Sequence, residues 1–135
     1  MGYDIMKVLI YSRQDHAILE SIEKTIAAFG KIDLEHARDN KKFKQSLRSC
    51  FAGETLVVFF VHEKKEMAFL ESVEMDFMDI KLVIYLMEKE TGLFARAHKL
   101  DPRVVTGAFD RDELLIAAVK GILLSLVGAR SIING

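Results

Sequence analysis

Residues 103–123 read RVVTGAFDRDELLIAAVKGIL. An apolar run at 103–106 meets a tight turn at 107–110 and then an acidic start, Asp112 and Glu113, to an amphipathic helix. A strand delivered so directly into a helix is one βα unit, and working back along the chain finds four more.

Three runs rich in β-branched and aromatic residues, 7–11, 55–61 and 81–87, are apolar without alternating, the pattern of strands covered on both faces. Residues 32–36 alternate, Ile32 and Leu34 with Asp33 and Glu35, which suits a sheet edge; 103–106 is a short fifth strand. Between them lie helical stripes. Ile18, Ile22, Ile26 and Phe29 follow Asp15 as N-cap and precede Gly30 as C-cap. Phe43, Leu47, Cys50 and Phe51 sit between Asn40 and Gly53; Met67, Leu70, Val73 and Phe77 form a third stripe, and Leu93, Phe94, Ala97 and Leu100 a fourth before Pro102. The order (βα)5 predicts a five-stranded parallel sheet, doubly wound, with helices on both faces, and residues 1–135 as a single domain.

With 135 residues, half of them apolar, the chain has enough material for one real core. A net charge of −1 removes the electrostatic argument for a nucleic-acid partner. The single cysteine forms no internal disulfide and no cysteine metal site, which points to the cytoplasm. No uninterrupted apolar run approaches the ~20 residues that span a bilayer, so no membrane role is expected.

Ligands of open parallel sheets gather beyond the carboxyl ends of the strands. After the first strand stands Ser12-Arg13-Gln14-Asp15, without glycine, which excludes a dinucleotide fingerprint and a phosphate-cradling loop.

In its alternating βα element order and in the stretch GAFD (107–110) running into a final helix, the chain resembles response-regulator receiver (CheY-like) domains. That resemblance implies a flavodoxin-like sandwich and five functional positions. The acidic pair that holds Mg²⁺ aligns with Ser12 and Arg13 in VLIYSRQD, and the phosphorylated aspartate with Phe60 in TLVVFFVHE, or with Val61 or His62 if the register slips. The hydroxyl residue ending the fourth strand aligns with Met87 in LVIYLME, and the lysine ending the fifth with Gly107. All five are vacant, and consistently so: Mg²⁺ needs hard oxygen ligands, a phosphoryl group needs cations, and Arg13 repels a metal ion. The expectation is a degenerate pseudo-receiver without catalysis, cofactor or metal.

His62, with Glu63 and Glu88, offers an acid–base group at the strand ends, and Ser12, Arg13, His62, Glu88 and Thr106 would line a ligand-binding or catalytic crevice in a small flavodoxin-like enzyme; the plainer reading is a solvated loop. Histidines 16, 36 and 98 lack metal-ligand spacing. Cys50 and the methionines read as core filling. Lys41, Lys42, Lys44 and Arg48 load the second helix and Glu63, Glu66, Glu71, Glu74, Asp76 and Asp79 the third, either as solvated faces or as complementary docking surfaces.

The final helix carries no charge between Lys120 and Arg130, and Ala118, Gly121, Ser125 and Gly128 form a stripe of small residues. Glycine inside a helix costs ~1 kcal/mol relative to alanine, so close packing against a second helix is expected. The simplest product is a symmetric homodimer, and with it a protein-interaction module of bacterial-type signalling whose partner the sequence does not identify.

Overall fold

Every residue of β3 (Thr55–Val61) is buried, and a strand covered on both faces belongs in the middle of a sheet. The computed structural model describes residues 6–30, 32–49, 55–77 and 80–134, with the backbone alone at 77, 91 and 127–134. In it β3 lies between β1 (Met6–Tyr11) and β4 (Lys81–Leu86), with β2 (Ile32–Ala37) and β5 (Val104–Gly107) at the edges. The order β2-β1-β3-β4-β5 is parallel throughout.

Strand periodicity divides the core into two layers. Leu9, Tyr11, Val57, Phe59, Ile84 and Leu86 point to α2 (Asn40–Arg48), α3 (Lys64–Ser72) and α4 (Thr91–Lys99), meeting Phe43, Leu47, Met67, Leu70 and Leu93. Val8, Ile10, Leu56, Val58, Phe60, Val83 and Tyr85 point to α1 (Ala17–Ala27) and α5 (Asp112–Asn134), meeting Ile18, Ile22, Leu115, Val119 and Leu123. Each such side chain contributes about 1.5–3 kcal/mol by burial. Tyr11 anchors the first layer: its ring stacks 4.2 Å from Phe59 and its hydroxyl donates to Asn40 Oδ1 at 2.7 Å.

The helix ends differ from the sequence reading in ways local hydrogen bonding explains. His16, not Asp15, occupies the N-cap of α1 and makes no capping bond, while Asp15 pairs with Arg38 at 2.8 Å. Asn40 is the first residue of α2; the cap is Asp39, which accepts from the Lys42 amide. The stripe ending at Phe77 is two elements, because α3 stops at Ser72 and a 3₁₀ turn covers Glu74–Phe77. Ala28, not Gly30, is the C-cap of α1; Gly30 lies two residues beyond it and takes the positive φ of +89° that turns the chain toward β2. β4 ends one residue early, and β5 is shifted by one. Cys50, Phe51, Gly53, Met78 and Asp79 lie outside the described residues. Among the described residues no helix is long and apolar enough to cross a membrane.

Candidate functional site

The strand order reverses between β1 and β3, so the switch-point crevice is framed by the loops that follow these two strands. The first carries Ser12, Arg13 and His16; the second carries His62, just before α3. Each feeds a helix, which brings residues 46 apart in sequence together: His16 Nε2 and His62 Nε2 are 2.5 Å apart. The ring planes lie within 15° and the centroids 4.8 Å apart. That centroid separation exceeds the nitrogen gap by the two ring radii, so the imidazoles meet end to end in one plane rather than face to face.

Behind His62 sits Glu66, whose side chain is 4% exposed. It is the third residue of α3 and closes a capping box with Glu63: its Oε1 accepts from the amides of His62 at 2.5 Å and Glu63 at 2.7 Å. The same oxygen lies 3.5 Å from His62 Nδ1 without forming a hydrogen bond to it, and Oε2 is 3.8 Å from Arg13 Nε. Burial holds the His62 imidazole below its ordinary range; Glu66 opposes that shift, and His16 and Arg13 add to it.

The expected acid–base grouping of His62 with Glu63 and Glu88 is not assembled. Glu63 pairs with Lys65 at 3.2 Å and Glu88 is exposed, whereas the carboxylate against His62 is Glu66. Sequence reasoning placed Glu66 on an acidic surface; the signal pointing inward was Glu66 three residues after the Glu63 cap, a carboxylate version of the capping box.

The other crevice residues are satisfied locally. Ser12 is fully buried and donates to the Gln14 carbonyl at 2.5 Å. Thr106 donates to Asp110 Oδ2 at 3.0 Å, which also accepts from the Gly107 amide. A shallow depression at the β1 and β2 ends is lined by Arg13, Asp39, Asn40 and Lys41 and includes neither His62 nor Thr106.

Phe60 is buried and stacks beside His16 at 5.7 Å, and Met87 packs half-buried against the α1–α5 layer. At Gly107 a Cβ would stand 2.4 Å from the Phe109 ring and 2.5 Å from the Leu86 carbonyl. Phe109, held 5.3 Å from Phe94, closes that strand end.

On α5, Gly121 and Ser125 are exposed and Ala118 is half-buried. Leu114 and Leu124 join the exposed side at 52% and 61% exposure, and open space surrounds Gly121. The helix runs through Gly128 to Asn134; the surroundings of Gly128 lie outside the described residues. The charged faces of α2 and α3 are partly spent internally: Lys42 reaches Glu35 at 3.5 Å, Lys44 lies over Phe69, and Arg96 of α4 grips Glu71 through two nitrogens at 2.6 and 3.0 Å.

Neither a protein-family model nor a curated protein matches the sequence. Solved structures match over nearly the whole chain. The signal receiver domain of an HD domain-containing protein from Pseudomonas fluorescens Pf-5 aligns with a TM-score of 0.71 at 17% identity, covering 92% of this chain and 98% of that one. The fold is the receiver fold. A response regulator receiver domain protein (CheY-like) from Methanospirillum hungatei JF-1 aligns equally well, TM-score 0.71 at 15% identity over 93% and 98% of the two chains. A putative pilus assembly-related protein from Burkholderia pseudomallei K96243 aligns with a TM-score of 0.62 at 11% identity over 95% of this chain and 93% of that one.

Receivers of the expected kind bind Mg²⁺ at the strand ends, and the residues here do not fit that ion. The Ser12 hydroxyl is turned to its own loop, the Arg13 guanidinium leans on Glu66, and Phe60 brings no oxygen. The histidine pair occupies the switch point of the receiver fold instead.

Proposed function

We propose that the chain is a single receiver-like domain, cytoplasmic and without catalysis of its own, that works as a protein-interaction module in signal transduction, independently of phosphorylation. The observation carrying this reading is the set of residues at the five positions aligned with receiver chemistry: Ser12, Arg13, Phe60, Met87 and Gly107 supply neither phosphoacceptor nor metal ligands, and the last is closed by Phe109. What such a scaffold retains is its surface.

The surface assigned to this role is the outer side of α5, with a second copy of the chain as occupant. Leu114, Leu124, Gly121 and Ser125 are exposed together on one helix, an apolar and self-complementary side that a two-fold axis would bury. Native mass spectrometry of the protein is expected to give a dimer, and a small acyl-phosphate donor is expected to leave no phosphoryl adduct. Gly121→Leu, which fills the space where two helices would approach, is expected to shift light scattering toward the monomer mass. A monomeric wild type, or an unchanged mass for the variant, overturns the dimer; a stoichiometric phosphoryl adduct overturns phosphorylation independence.

A further inference from the structure

The end-to-end contact of His16 and His62 carries an inference that the interaction reading does not use. Two neutral imidazoles hold such a contact only when one nitrogen carries a proton and the other presents its lone pair. Glu66 biases the arrangement: a carboxylate 3.5 Å from His62 Nδ1 favours a proton on that nitrogen, and in that tautomer His62 Nε2 accepts and His16 Nε2–H donates. His16 is partly exposed and sits where the chain enters α1, so its remaining nitrogen is the one solution can reach. A single added proton keeps the contact, because a charged ring still donates to a neutral one. A second, on His62 Nε2, sets two N–H groups and two charges against each other across 2.5 Å.

We propose that His16 and His62 form a pH-sensitive latch across the switch-point crevice, closed while they share one hydrogen bond and opened when both imidazoles are protonated, releasing the start of α1 from the end of β3.

The charges facing the pair are few. From α3, Glu66 attracts the second proton, and Glu63 is exposed and held by Lys65. From the β1–α1 segment, Arg13 opposes it, and Asp15 is engaged by Arg38. From the sheet, the neighbour is the uncharged Phe60 ring, with Tyr85 behind it at 4.9 Å and Asp110 and Asp112 beyond, acting on Tyr85. The pair could not be read from the chain, since the histidines are 46 residues apart and show no ligand-like spacing.

The test reads both rings and the helix start in the intact chain. Nitrogen-detected NMR of the histidine rings, followed downward from neutral pH until both are protonated, is expected to show two coupled steps rather than two independent curves. Over the second step the Leu19 amide, which bonds the His16 carbonyl at 3.0 Å, is expected to exchange roughly tenfold faster than in His16→Gln at the same pH, which is about 1.4 kcal/mol in the local opening equilibrium. Glutamine keeps a donor toward His62 but takes no proton, so His62 is expected to titrate there as a single site with the helix start protected throughout. Independent single-site titrations in the wild type, or equal Leu19 exchange in both proteins across the range, would overturn the latch.

Discussion

Gly107 shows how one missing side chain fixes a local structure. Its Cβ would meet the Leu86 carbonyl at 2.5 Å, and a main-chain oxygen paired in the sheet cannot swing aside as the Phe109 ring can. Gly107→Ala is therefore expected to destabilise the fold by about 1–3 kcal/mol in urea denaturation, with Phe109→Ala restoring only part of the loss. An unchanged midpoint would mean that β5 shifts at no cost. None of this was legible in the sequence, where Gly107 reads as a turn residue and Phe109 as one more aromatic. Which residues stand at the strand ends was legible in the sequence; what fills the space around them depends on rotamers, which a one-dimensional pattern does not carry.

At the scale of elements, strands and apolar stripes were readable because buried strands are uninterrupted and helix faces repeat every three to four residues. Caps were less so. Asp15 and Asp39 both precede helices and both suit an N-cap, yet Asp15 is drawn to Arg38 and only Asp39 bonds its helix. The α3 cap was hidden because Glu66 counted as surface charge. Its carboxylate satisfies two amides, one buried and one part-buried, so Glu66→Ala, leaving both without a partner, is expected to cost about 2–6 kcal/mol, from about 1–3 kcal/mol for each orphaned group. Glu66→Gln keeps the accepting oxygen and is expected to recover most of that in the same urea experiment; equal losses in the two variants would show that the charge, not the acceptor, matters.

For the whole molecule, the perturbed groups predict a stability maximum near neutral pH. Burial lowers the folded-state values of His36 and His62, so each gives its full contribution above the ordinary imidazole value of 6.5, and that contribution is lost as pH falls below it. Glu35, bonded by Ser46, and Glu71, gripped by Arg96, are held below the ordinary 4.5 and add a second loss at more acid pH. On the alkaline side burial pushes the Tyr11 phenol up to about 12, so the unfolded chain ionises first and stability falls above the ordinary value of 10. Urea midpoints across the range are expected to fall on both flanks, and a midpoint that rises between pH 6.5 and 4.5 would contradict the assignment. The closed strand end also governs which residues position 107 accepts. Any side chain there meets the Phe109 ring and the Leu86 carbonyl at once, so a substitution must swing the ring aside and widen the pairing of β4 with β5 together. The fold thereby acts as a sieve on its own sequence, passing at this position, without rearrangement, only the residue that has no side chain.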